Sequence, residues 1–170
     1  MSSTGFAGAS SSSSSLTFRW KHDVFLSFYG KDTRHTFTDH LFIELKRNFN
    51  EVFRDKEGIK RGTFIDSELT KAIKESKIAI VVLSRNYASS KSCLNELAQI
   101  VACEKETGIT VIPVFYHVDP SNVGNQNGTF GSAFAKHSED PGVTSEEIQT
   151  WKNALKCVCK IAGFPVEDDM

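Results

Sequence analysis

The run Ile78-Ala79-Ile80-Val81-Val82-Leu83 and the stretch after it, Ser84-Arg85-Asn86-Tyr87-Ala88-Ser89-Ser90-Lys91-Ser92-Cys93-Leu94-Asn95-Glu96-Leu97, decide the fold of this chain. The first is continuous, apolar and largely β-branched, the pattern of a strand covered on both faces. The second carries the chain from that strand into an amphipathic helix. With Leu94 as reference and about 100° per residue, Leu97, Ala98 and Val101 share one face, while Glu96 points nearly the opposite way. The core has no need of a glutamate there. Glu96 is therefore either a solvated first-turn residue favoured by the helix dipole or a functional group.

Upstream, Asp23-Val24-Phe25-Leu26-Ser27-Phe28 has strand length and ends at Tyr29-Gly30, where glycine permits a sharp change of direction. Asp32 or Thr33 suits the cap of the next helix, whose Phe37, Leu41, Phe42 and Leu45 form an apolar stripe to about residue 47, with His40 off the stripe. Val52-Phe53 predicts a short second strand, and the charged, glycine-punctuated segment Asp55–Gly62 a polar loop. Asp66 or Ser67 then suits a cap for a helix with Leu69, Ala72, Ile73 and Ser76 on one face. That helix leads into the 78–83 strand.

Downstream, Thr110-Val111-Ile112-Pro113-Val114-Phe115-Tyr116 is another strand, and the missing N–H of Pro113 places it toward a sheet edge. Asp119-Pro120-Ser121-Asn122 signals a turn, and a short helix follows around Phe130–His137. Thr144-x-x-Glu147 has capping-box spacing ahead of a last helix, in which Ile148, Trp151, Ala154, Leu155, Val158, Cys159 and Ala162 make a wide stripe before Gly163.

Alternating strands and helices predict an α/β fold: a flavodoxin-like, doubly wound parallel sheet of four to five strands, order 2-1-3-4-5, with helices on both faces. Its topological switch lies between strands one and three. There Tyr29, Gly30, Lys31, Asp32, Thr33 and Arg34 should meet Ser84, Asn86 and Tyr87, with Glu96 on the next helix, around one crevice.

The chain of 170 residues, 39% hydrophobic and 24% charged, suffices for one sizeable core. Residues 1–20 are expected to be a disordered, serine-rich leader, 21–164 the domain, and 165–170 a tail or the start of a linker. A net charge of -1 with interspersed basic residues gives no reason to expect nucleic-acid binding. No apolar run approaches the roughly 20 residues of a membrane span, and no secretory leader is visible. Four cysteines without framework or zinc spacing are expected to be reduced thiols, and five dispersed histidines predict no metal site. A phospho-receiver fails because Ser84 stands where strand three should end in aspartate. A Walker loop and a G-x-G-x-x-G turn both fail after strand one.

Several of these segments together resemble a known family: Asp23–Phe28 with Gly30 and Asp32-Thr33-Arg34, Arg61-Gly62, Ser84-x-x-Tyr87-x-x-Ser90, Cys93-Leu94-x-Glu96-Leu97, and Phe115-Tyr116-x-Val118-Asp119-Pro120-Ser121. They are similar to the Toll/interleukin-receptor (TIR) domains of plant immune proteins, in order across residues 21–164. The resemblance implies an intracellular domain, cytoplasmic or nuclear, at the N-terminus of a nucleotide-binding leucine-rich-repeat receptor. It also implies self-association, contact with other TIR-containing immune receptors, and cleavage of NAD or NADP at the nicotinamide–ribose bond. NAD or NADP would be the substrate, with no prosthetic group.

By matching motifs, Glu96 would be the catalytic glutamate. Arg34, Gly30, Tyr29, Asp32, Arg61, Ser92 and Tyr87 would lie at the nucleotide pocket, Asp55–Gly62 would be the loop that rearranges on assembly, and His40 with Asp39 would lie in a self-association surface. The implied chemistry suits a carboxylate: nicotinamide leaves from a cationic state, and the positive charge developing on the ribose can be steadied by Glu96. Two positions depart from the family pattern. Tyr29 replaces a usual arginine and Ser92 a usual tryptophan, removing a phosphate partner and a stacking face. Two functions therefore stand as expectations: an NAD(P) glycohydrolase, or a homotypic interaction module with little or no turnover.

Overall fold

The computed structural model describes residues 20–33, 36–54 and 65–167. Five strands form one parallel sheet: β1 (His22–Ser27), β2 (Val52–Arg54), β3 (Ser76–Leu83), β4 (Thr110–Tyr116) and β5 (Phe164–Val166), in the order β2-β1-β3-β4-β5. This is the flavodoxin-like arrangement that the alternation of elements predicts.

The helices are α1 (Gly30–Thr33), α2 (Phe37–Asn48), α3 (Ile65–Lys74), α4 (Lys91–Thr107), α5 (Pro120–Asn125), α6 (Thr129–Ser138) and α7 (Ser145–Cys159), with a 3-10 turn at Tyr87–Ser89. Successive strand residues face opposite sides of the sheet, so each β-branched run feeds two cores. On one side, Val24, Leu26, Ile80, Val82 and Val114 pack under the α2 stripe of Phe37, Leu41, Phe42 and Leu45. On the other, Phe25, Ala79, Val81, Leu83, Val111 and Phe115 meet α3, α4, α6 and α7.

Several local expectations are corrected. Pro113 does not put its strand at an edge, because β5 pairs with β4 from Val114 to Tyr116. A Cβ added at Gly163 would lie 2.4 Å from the Pro113 carbonyl oxygen, so Pro113 turns its peptide groups toward β5. Its absent donor falls where β5 has not yet begun, and no ladder bond is lost. Strand β5 itself, with Pro165 at its centre, crosses the boundary drawn at residue 164.

Asp32 and Thr33 do not cap α2. The residue before that helix is Thr36, with no side-chain cap. Helix α3 starts at Ile65, so Asp66 and Ser67 fall inside its first turn. Ser76 is a strand residue whose hydroxyl donates to Ala72 O at 2.7 Å. Asp119-Pro120-Ser121-Asn122 opens a helix, α5, with the Asp119 carboxylate accepting from Ser121 N at 2.9 Å and proline at its first position. Helix α7 ends at Cys159 and leaves Ala162 exposed. Its capping box forms as expected: Glu147 N donates to Thr144 Oγ1 at 3.0 Å and Thr144 N to Glu147 Oε1 at 2.9 Å.

Candidate functional site

At the switch point, the ends of β1 and β3 are tied together. Asp32, in α1 just past β1, accepts at Oδ2 from Ser84 Oγ (2.6 Å) and Asn86 N (2.8 Å), and at Oδ1 from Asn86 Nδ2 (3.0 Å). This carboxylate is a staple between two strand ends, which explains why it caps no helix.

Beside the staple, Glu96 is only 8% exposed, which corrects its expected outward direction. Leu94 lies at one margin of the buried face of α4, not at its centre. Cys93, Ile100 and Cys103 are buried too, and they widen the face round to Glu96. The α4 start is fixed by Ser90, whose hydroxyl accepts from Cys93 N at 3.1 Å.

The Glu96 carboxylate accepts at Oε1 from Ser27 Oγ at 2.8 Å. Ser27 is the last residue of β1, 1% exposed, and its oxygen also lies 2.9 Å from the Tyr87 hydroxyl. Tyr87 further reaches the Cys93 carbonyl at 3.1 Å. Sequence reasoning passes over Ser27 because it closes an apolar strand. The available signal is a lone hydroxyl at a strand's carboxyl end, where sites in this fold class collect.

The same contacts correct the placement of Tyr87. It is fully buried, with its hydroxyl directed inward to Ser27 and Cys93, so it does not line the crevice. Burial is the main cause that pushes its phenol well above the usual value, with the Cys93 and Glu96 charges adding and the Ser27 hydrogen bond opposing. Tyr29 is half-buried, and its phenol is raised by burial, then by Asp32 and Cys93.

Glu96 lines a cleft of about 440 Å³ between α3, α4 and α7. Leu69, Thr70 and Ile73 come from α3, Ser92, Asn95 and Gln99 from α4, and Glu146, Glu147, Thr150 and Trp151 from α7. Trp151 Nε1 donates to Asn95 Oδ1 at 3.0 Å, which holds α7 against α4. The α7 wall is absent from the sequence reading, which sees in that helix only a capping box and an apolar stripe. No lysine or arginine is among the described residues lining the cleft, and three glutamates are, so this wall suits a cationic group rather than a phosphate.

Of the remaining candidates, Ser92 is exposed and lines the cleft, and Gly30 begins α1. Arg34, Arg61 and the loop Asp55–Gly62 lie outside the described residues. On α2, His40 is exposed beside Ile43, which is 48% exposed, whereas the Asp39 carboxylate accepts from Arg54 Nη1 at 3.1 Å. Arg54 also stacks on Phe42, 3.9 Å from the ring centroid. Among the described residues no three metal-ligating side chains converge, and no helix is long and apolar enough to cross a membrane.

A family model described as TIR domain matches residues 21–168. Disease resistance protein RPV1 of Vitis rotundifolia is 46% identical over 171 residues, covering 99% of this chain and 12% of that protein. TMV resistance protein N of Nicotiana glutinosa is 49% identical over 155 residues, covering 91% of this chain and 13% of that protein. The chain thus spans 12–13% of the length of these two curated relatives. Among solved structures, the TIR domains of the activated Roq1 resistosome directly recognizing the pathogen effector XopQ match with a TM-score of 0.76 at 44% identity, covering 85% of this chain and 87% of that one. With the family matched across nearly every described residue and the parallel five-stranded sheet in the expected order, this chain belongs to the TIR domain family.

Proposed function

We propose that this TIR domain acts in plant immune signalling by self-associating and hydrolysing NAD or NADP at the nicotinamide–ribose bond, with Glu96 as the catalytic carboxylate. The observation that carries the reading is a buried carboxylate, hydrogen-bonded to Ser27, on the wall of an acidic cleft large enough for a nicotinamide riboside. As the bond to the cationic nicotinamide breaks, positive charge grows on the ribose. A carboxylate held out of bulk water stabilises that charge more than an exposed one would. Water, or another nucleotide hydroxyl, then completes the transfer.

The cleft offers this cationic end an acidic wall and offers the diphosphate no cation among the described residues. The family resemblance implies that Arg34 and Arg61 lie at the nucleotide pocket, and either would supply the cation that the cleft lacks. Assembly through the exposed α2 face around His40, with other copies or other TIR-containing receptors, is part of the same proposal. It draws support from relatives named as disease resistance proteins and from a TIR assembly named as a resistosome.

The test is nicotinamide release from NAD by concentrated or artificially oligomerised protein. Wild type releases nicotinamide and Glu96→Ala does not. If both assemble and neither releases it, the enzymatic reading is wrong. One observation favours the second reading, a homotypic interaction module with weak turnover: the cleft position usually held by tryptophan is the exposed, small Ser92. A large gain in NAD cleavage from Tyr29→Arg combined with Ser92→Trp identifies a weakened pocket. No gain, together with intact signalling by Glu96→Ala, identifies the module.

A further inference from the structure

Ser27 has one proton, and so has Tyr87. The Glu96 carboxylate can only accept, so Ser27 gives its proton to Oε1 at 2.8 Å. The Ser27 oxygen then faces Tyr87 at 2.9 Å as an acceptor, and the one Tyr87 proton is shared between it and the Cys93 carbonyl. The same hydroxyl lies 3.1 Å from the carbonyl of Cys93, three residues before Glu96 on α4. Two points on the first turns of α4 are thus tied to the end of β1 through one phenol and one serine. All three side chains are at most 8% exposed, so water does not compete for these contacts.

We propose that Ser27, backed by Tyr87, is a positioning residue that fixes the Glu96 carboxylate by a two-hydroxyl relay, committing Oε1 inward and orienting the group toward the cleft. The catalytic consequence rests on the NAD-cleaving function proposed above, whereas the relay itself does not. A hydrogen bond donated to a carboxylate favours its ionised form, and a second hydroxyl behind the donor strengthens that bond. Tyr87 stays a donor throughout because its phenol is held well above its usual range, mainly by burial.

Among the described residues, the titratable groups around this relay are few. Tyr87 and Cys93 lie on the strand side, with Tyr29 and Asp32 beyond Cys93, and Glu146 and Glu147 lie across the cleft on α7.

The test is a carboxyl titration by NMR with glutamate labelled at the side-chain carboxyl carbon, the Glu96 signal being the one missing from Glu96→Gln. Ser27→Ala is expected to raise the Glu96 midpoint by about one pH unit or more. Ser27→Thr, which keeps the hydroxyl, restores it to within a few tenths. Tyr87→Phe leaves β1 unaltered and raises it by roughly half as much. An unchanged midpoint in folded Ser27→Ala or in Tyr87→Phe overturns the relay.

In nicotinamide-release assays, the acidic limb of the pH profile moves with the midpoint in Ser27→Ala. A residue that merely supports packing would lower the rate equally at every pH, and that result also overturns the assignment. If no variant or wild type releases nicotinamide, the proposed activity fails while the titration still decides the relay.

Discussion

Removing the carboxylate of Asp32 gives the sharpest test of how the two strand ends are held. Three hydrogen bonds converge on it, at 2.6, 2.8 and 3.0 Å, and they join chain segments more than fifty residues apart. In Asp32→Ala the exposed amide groups of Asn86 regain water at little cost. Ser84 is 1% exposed and does not, so its hydroxyl is left without its acceptor, a loss of about 1–3 kcal/mol. With the lost charge assistance, the total comes to about 2–3 kcal/mol.

Asp32→Asn is predicted to behave differently. Its oxygen can still accept from Ser84 Oγ and Asn86 N, and the Asn86 amide can turn over to meet the new NH₂ group. Only the charge assistance is lost, about 0.5–1 kcal/mol. For a domain of this size, urea denaturation followed by circular dichroism should give a midpoint about 1 M lower for Asp32→Ala and a few tenths lower for Asp32→Asn, with unchanged slopes. Equal losses in the two variants, or a fall under about 0.3 M for alanine, would refute the staple.

Three further outcomes are expected. Thr144→Ala removes one half of the α7 capping box and should cost about 1 kcal/mol in the same assay, while Thr144→Ser should cost much less. Gly163→Ala would bring a Cβ to 2.4 Å from the Pro113 oxygen and 2.8 Å from its Cγ, so β5 must shift. Faster amide exchange at His117, which bonds Val166 O at 2.8 Å, is the readout. The Asp140 carboxyl is held below its usual range chiefly by the Lys91 hydrogen bond, then by Gly142 N. Any stabilisation from that pair is therefore present above the usual carboxylate range and lost as pH falls through the lowered value. Lys91→Ala should return the Asp140 midpoint toward normal by NMR, with little change in overall stability because Asp140 is at the surface.

The sheet was legible because its strands are apolar runs of the right length, separated by helices with clear stripes. The order followed from the strand count, since four or five parallel strands leave no room for a second Rossmann half and take the flavodoxin-like arrangement. Partner-dependent features were not legible. The direction of Glu96 depends on which residue centres the buried face of α4, and Cys93, Ile100 and Cys103 shift that centre away from Leu94. Asp32 had the right chemistry for a cap and the right position for a staple, and only the fold brings Ser84 and Asn86 to it. Ser27 and Tyr87 belong to segments sixty residues apart, and no local pattern announces their contact. Strand β5 is three residues long and contains a proline, too little signal for any periodicity to register.

That short strand also limits how the sheet can grow. Val166 turns its carbonyl to His117, so by alternation Phe164 faces β4 as well, and Pro165 faces away. The residue that would offer an outward N–H to an incoming strand is the one residue without such a group. The β5 edge can accept from a neighbouring backbone but cannot answer it, which blunts sheet-to-sheet polymerisation there. Within β5 itself, an incoming strand finds a backbone acceptor but no donor, so contacts on this side depend more on side chains than on a continuous sheet.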